Sequence, residues 1–134
     1  MLFRSEAMDV VCRDTPDGLT VDGRGFDMLS EPDGPIDCGN SGTTMRMLAG
    51  LLCGRPFDTE LVGDASLSRR PMGRVVDPLR RLGARIDTTD GHAPIMIRGG
   101  VLVGAEVDLP IASGQVKSAV LLAGLQASGT TTVR

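Results

Sequence analysis

Three stretches of the sequence concentrate residue types that can hold a polyanion. The first is Asp37-Cys38-Gly39-Asn40-Ser41-Gly42-Thr43-Thr44-Met45-Arg46, a small-residue turn leading into an apolar-periodic run. A helix that starts there presents about four unpaired backbone N–H groups, and its dipole favours an anion at that end. Gly42 lets a phosphate approach the backbone with no Cβ in the way, while Ser41, Thr43 and Thr44 add hydroxyls. The plainer alternative is ordinary N-capping by Asn40 or Ser41. The Gly-Lys-Ser/Thr ending of a Walker loop is absent.

The second stretch is Gly63-Asp64-Ala65-Ser66-Leu67-Ser68-Arg69-Arg70-Pro71-Met72-Gly73-Arg74. Arg70 stands just before a helix start, where its planar fork suits a carboxylate or phosphate. The competing reading is surface charge. The third is Pro110-Ile111-Ala112-Ser113-Gly114-Gln115-Val116-Lys117-Ser118-Ala119, with the Ser113 hydroxyl and Gln115 amide as donors, or with Ser113 as a simple N-cap. Three such helix starts in one short chain say more than any one of them, and point to ligands carrying several negative charges. The lone His92, in the turn Thr-Thr-Asp-Gly-His-Ala-Pro, reads as a solvent-facing loop residue.

The elements that must position these residues are mixed α and β. Asp9–Asp14 and Leu19–Asp22 read as strands around the turn Thr15-Pro16-Asp17-Gly18, since Pro presets φ and Gly accepts positive φ. Gly23–Asp37 reads as a loop. A helix starts near Ser41 or Gly42, with Met45, Leu48, Ala49, Leu51 and Leu52 at helical spacing. Phe57–Val62 reads as a strand. A second helix is expected from Pro71, with Met72, Val75, Val76, Leu79 and Leu82 on one face and Gly83 as its stop. Ala84–Thr88, Pro94–Arg98 and Ala105–Leu109 read as strands, Gln115–Gln126 as a helix, and Thr130–Arg134 as a last strand.

The 134 residues suffice for one modest domain. With no Trp or Tyr and three Phe, its core must rest on Leu, Val, Met, Ile and Ala. A net charge of −3 gives no support to a nucleic-acid or anionic-membrane partner. Cys12, Cys38 and Cys53 are odd in number and lack CxxC spacing, so neither a disulfide framework nor a zinc site is suggested and a reducing compartment fits. No apolar run approaches the roughly 20 residues of a membrane span, and the opening Met1–Glu6 is too short and polar for a signal peptide. A cytoplasmic protein is expected.

The sequence also compares with itself. Ser41–Leu51 resembles Ser113–Leu125: each pairs a Ser-Gly start with a basic residue one turn in, an LAGL-like end and a following strand. A repeat of roughly seventy residues is implied.

Taken in order, GNSGTTMR, GDASLSRRPMGRVVDPLRRLGA and ASGQVKSAVLLAGL resemble the N-terminal region of the 3-phosphoshikimate 1-carboxyvinyltransferase (EPSP synthase) family, across roughly Asp37–Val133. The resemblance implies an α/β (α+β) fold of repeated βαβαββ units, truncated here at both ends. Residues 1–36 would close a first unit with an atypical start, 37–112 form a second, and 113–134 open a third. It implies transfer of the enolpyruvyl group of phosphoenolpyruvate to the 5-hydroxyl of shikimate 3-phosphate, without metal or organic cofactor, in a monomeric full-length enzyme. Gly42 and Arg70 would contact phosphoenolpyruvate, Gln115 would lie between the substrates, and Ser113 with Gly114 would bind the phosphate of shikimate 3-phosphate. Arg46 would brace the site, and Asn40 and Thr43 would shape its loop. Gly42 stands where glyphosate-insensitive members carry Ala, so a full-length version is expected to be sensitive. The family's N-terminal Lys-Ser…Arg motif has no counterpart before residue 37, and its acid/base Lys, Asp and Glu are missing. No catalytic residue is therefore assigned, and the chain alone is expected to be inactive. Two alternatives remain: the UDP-N-acetylglucosamine enolpyruvyl transferase, whose reactive-loop Cys is not seen in DASLSRRPMGR, and a non-catalytic anion-binding remnant.

Overall fold

The turn Thr15-Pro16-Asp17-Gly18 closes an antiparallel hairpin of β1 (Val11–Thr15) and β2 (Gly18–Asp22), with Gly18 at φ 136°. The structure, a computed structural model, describes residues 6–23 and 25–134. Of the opening Met1–Glu6, all but Glu6 therefore lies outside the described residues, and Met8 just after it is buried in the core.

From Ile36 to Arg98 the elements run β-α-β-α-β-β: β3 (Ile36–Asp37), α1 (Gly42–Leu52), β4 (Thr59–Val62), α2 (Gly73–Arg81), β5 (Arg85–Thr89) and β6 (His92–Arg98). They form a four-stranded sheet of order β3-β4-β6-β5, in which β3 and β4 are parallel and the other pairs antiparallel. A second β-α-β run follows: β7 (Glu106–Val107), α3 (Gly114–Gly124) and β8 (Thr132–Val133), its two strands again parallel. Parallel neighbours require a crossover, and α1 and α3 are those crossovers.

Side chains alternate across the sheet as its period of two demands. Leu61, Ile86, Ile95 and Ile97 face inward and are almost fully buried, whereas Met96, between Ile95 and Ile97, is exposed. The inner face meets Met45, Leu48 and Leu52 of α1 and Val75, Val76 and Leu79 of α2; Val116, Ala119, Val120 and Ala123 of α3 complete the core. Leu121 and Leu125 lie on the outer side of α3, exposed.

Helices α1 and α3 run side by side in the same direction. Their starts are joined by Gln115 to Thr43, and their ends by Gln126, whose Nε2 donates to Leu51 O at 2.9 Å. Gly50 permits the approach: a Cβ there would lie 2.1 Å from the Ala119 carbonyl oxygen.

Two expectations are corrected. The segment Gly23–Asp37 is not loop throughout, because Ile36–Asp37 joins the sheet beside Leu61–Val62 and Phe26–Met28 forms a 3₁₀ turn. The second helix begins at Gly73, two residues after Pro71. Arg70 must be extended ahead of a proline (φ −83°, ψ 136°), and the Met72 N–H donates to Gly91 O at 2.7 Å, which holds the chain out of the helix until Gly73.

Candidate functional site

Both Ser-Gly motifs open helices by the same device. Ser41 Oγ accepts from Thr44 N at 3.1 Å, and Ser113 Oγ accepts from Val116 N at 3.4 Å. The capping alternative is thus realised at both serines, and it leaves the amides beyond the caps available. Among the described residues the N–H groups of Gly42, Thr43, Gly114 and Gln115 have no acceptor. Each 11-residue helix adds about half a positive charge at this end, so two parallel dipoles converge on one corner.

That corner is an open basin lined by Asn40, Ser41, Gly42, Thr43, Arg46, Arg70 and Gln115, with buried Cys38 at its floor. Arg46 Nη1 donates to Gln115 Oε1 at 2.8 Å, and Gln115 Nε2 donates to Thr43 Oγ1 at 2.8 Å. Arg70 Nη2 donates to Asn40 Oδ1 at 2.5 Å. Gly42 lies under both cations: a Cβ there would be 2.8 Å from Arg46 Nη1 and 3.4 Å from Arg70 Nη1. Burial, then the charges of Arg70 and Arg74, lower the Arg46 pKa from its ordinary value. Like charges gathered at donor-rich helix ends favour an anionic occupant.

Of the residues singled out from sequence, Asn40, Gly42, Thr43, Arg46, Arg70 and Gln115 meet in this basin. Ser113 and Gly114 stand at its edge. Ser113 lines a neighbouring groove with Arg74, Asp77 and Leu109, and Gly114 is exposed with open space where a Cβ would be.

Asp64 was not singled out, yet its carboxylate laces the two loops together. Oδ1 accepts from Leu67 N at 2.7 Å and Oδ2 from Asn40 Nδ2 at 2.8 Å, while its own N–H donates to Gly39 O at 2.9 Å. The Leu67 N–H, then the Asn40 amide, hold its pKa below the usual carboxylate value. An Asp three residues ahead of Leu67 is the spacing of a capping carboxylate, the one signal the sequence offered.

No group of His, Cys, Asp and Glu among the described residues could hold a metal ion, and no helix there is long and apolar enough to cross a membrane.

Fold and basin together define an α/β protein in which a β-α-β-α-β-β run is followed by a β-α-β run, with a cationic, amide-rich corner between two parallel helices. Over residues 6–134 the chain matches the family model described as EPSP synthase (3-phosphoshikimate 1-carboxyvinyltransferase), and it belongs to that family. It is 58% identical over 115 residues to the 3-phosphoshikimate 1-carboxyvinyltransferase of Acidithiobacillus ferrooxidans, covering 86% of this chain and 27% of that protein. It is 53% identical over 128 residues to the enzyme of the same name from Shouchella clausii, covering 94% of this chain and 30% of that one. The solved EPSP synthase of Acinetobacter baumannii superposes with a TM-score of 0.95 at 47% identity, over 98% of this chain and 31% of its own. The chain thus spans less than a third of the length of these relatives. They carry the shikimate enzyme's name, so the peptidoglycan-pathway sibling is not favoured.

Proposed function

We propose that this chain supplies the phosphoenolpyruvate-gripping part of an EPSP synthase. The reaction joins the 5-hydroxyl oxygen of shikimate 3-phosphate to C2 of phosphoenolpyruvate as the hydroxyl gives up its proton to a base and C3 gains one from an acid. Loss of a C3 proton and of phosphate then leaves the enolpyruvyl ether. Much of such catalysis is the holding of two polyanions in contact and the stabilising of charge that develops between them.

The observation that carries this reading is the convergence of the α1 and α3 starts on Arg46 and Arg70. Phosphoenolpyruvate would lie over Gly42, its charge met by Arg70 and the free amides of Gly42 and Thr43. Gln115 would lie between the two substrates. Ser113 and Gly114, on the groove side of α3, would take the phosphate of shikimate 3-phosphate. Arg46 holds Gln115 in place, and Asn40 and Thr43 shape the loop. The general acid and base would come from the rest of the fold. The domain division proposed is a βαβαββ unit over 37–112, preceded by the end of one unit and followed by the start of another at 113–134. The proposed full-length enzyme is a cytoplasmic monomer.

Phosphate release from phosphoenolpyruvate plus shikimate 3-phosphate tests this. The chain is assayed alone and with the separately expressed complementary region of the Acinetobacter baumannii enzyme. Turnover only in the mixture is expected. No turnover in the mixture would move the chain to a binding-only remnant.

A further inference from the structure

Arg70 reaches the basin from a loop, and a loop cation is useful only if something fixes its direction. From the contacts around it we infer that Asp64 is a positioning residue, which aims the Arg70 guanidinium by dictating which way the Asn40 amide faces. This rests on the proposed role of Arg70 at phosphoenolpyruvate.

An Asn side chain has a donor end and an acceptor end of nearly the same shape, and only its partners decide between the two orientations. An ionised carboxylate only accepts. Asp64 Oδ2, 2.8 Å from Asn40 Nδ2, therefore requires the NH₂ end of Asn40 and turns its carbonyl oxygen to the other side. There that oxygen accepts from Arg70 Nη2 at 2.5 Å. Were the amide reversed, two donors would face each other and Arg70 would lose its anchor. Asp64 is itself fixed at four points, by Leu67 N and Asn40 on its carboxylate, by its own N–H on Gly39 O and by Ser68 N on its carbonyl. The relay thus connects the loop before α1 to the loop before α2, and it leaves the Nη1 edge of Arg70 facing Gly42. A guanidinium held in advance loses less freedom when an anion arrives.

The discriminating variant is Asp64→Asn. With its carbonyl oxygen kept on Leu67 N, it turns its own NH₂, a donor, towards Asn40, so the amide orientation that Asp64 enforces is opposed. In the free ¹⁵N-labelled chain, the Asn40 side-chain NH₂ signals should lie at the position of a carboxylate-bonded amide and should move in Asp64→Asn. Titrated with phosphoenolpyruvate, Asp64→Asn should bind about tenfold more weakly than the parent, the effect of one charge-assisted hydrogen bond. In an Asn40→Ala background the same change should do nothing further, because Asp64 acts through Asn40. Asp64→Glu, which restores an acceptor-only group, should recover part of the affinity. Asn40 signals that ignore the substitution would overturn the inference, as would equal losses from Asp64→Asn with and without Asn40. Failure of the parent chain to bind phosphoenolpyruvate, with the Asn40 signals behaving as described, would instead overturn the proposed role of Arg70.

Discussion

Arg46 Nη1 donates a 2.8 Å hydrogen bond to Gln115 Oε1, across 69 positions of sequence. Gln115 passes the connection to Thr43, so the starts of α1 and α3 respond as one body. Whatever displaces Arg46 also removes one of the two bonds that orient Gln115, which makes the small residue beneath Arg46 the sensitive point of the basin.

That residue is Gly42. In Gly42→Ala the new methyl would lie 2.8 Å from Arg46 Nη1, the far end of a flexible side chain, so the guanidinium rather than the helix gives way. Folding stability should hold or rise slightly, since Ala suits a helix better than Gly by up to about 1 kcal/mol. Phosphoenolpyruvate affinity should fall about tenfold as Gln115 loses its bond from Arg46 and keeps only that to Thr43. A calorimetric titration beside a thermal melt checks both, and unchanged affinity would contradict the arrangement.

Gly50→Ala should behave oppositely. Its methyl meets the Ala119 carbonyl oxygen at 2.1 Å and the carbonyl carbon at 2.7 Å, which are backbone atoms that cannot swing aside. The usual helical advantage of Ala is overridden, and a loss of about 1–3 kcal/mol is expected from the forced separation of α1 and α3. Urea unfolding measures it.

Arg55 clasps the other end of the same helix pair. Only 7% exposed, it donates Nε–H to Gln126 Oε1 at 2.7 Å and Nη1–H to Asp27 Oδ1 at 3.2 Å. The Asp27 side chain is 99% exposed, so that ion pair contributes little, about 0–1 kcal/mol. The Gln126 bond is the stronger one, because Gln126 also holds the Leu51 and Leu122 carbonyls. Arg55→Met should therefore cost about 1–3 kcal/mol and Asp27→Ala under about 1 kcal/mol in the same urea experiment.

Burial pushes the Cys53 thiol up to about 12. Its neutral form is favoured in the folded chain, so the stability it contributes is complete below the ordinary thiol value of about 8.5 and is lost as pH rises from there toward 12. At pH 8 an alkylating reagent should label Cys12, which is partly exposed, and reach Cys53 only in denaturant. Mass spectrometry of the labelled peptides distinguishes the two.

What the sequence disclosed follows from how local each signal is. The Ser41 and Ser113 starts, the apolar faces of α1 and α2 and the Pro16-Asp17-Gly18 turn are written within a few residues of each other, and all were legible. Strand Ile36–Asp37 was not, because two residues among Gly, Pro and Asp carry no periodicity; only pairing with Leu61–Val62 makes them a strand. The start of α2 was misplaced because the Met72 N–H is claimed by Gly91, nineteen residues later. In the basin, the motifs and the family resemblance they carry named Gly42, Arg46, Arg70 and Gln115, but not that Arg46 would meet Gln115 or that Asp64 would reach Asn40. Those contacts join loops whose register is set by the sheet and the helix pair.

The proposed function needs the starts of α1 and α3 to form one anion site around Gly42 and Arg70. Backbone amide NMR of the labelled chain during a phosphoenolpyruvate titration tests it most directly. Saturable shifts are expected at Gly42, Thr43 and Gln115, and they should vanish in Arg70→Ala while the rest of the spectrum stays in place. Shifts confined to other residues, or identical shifts in Arg70→Ala, would contradict the proposed site.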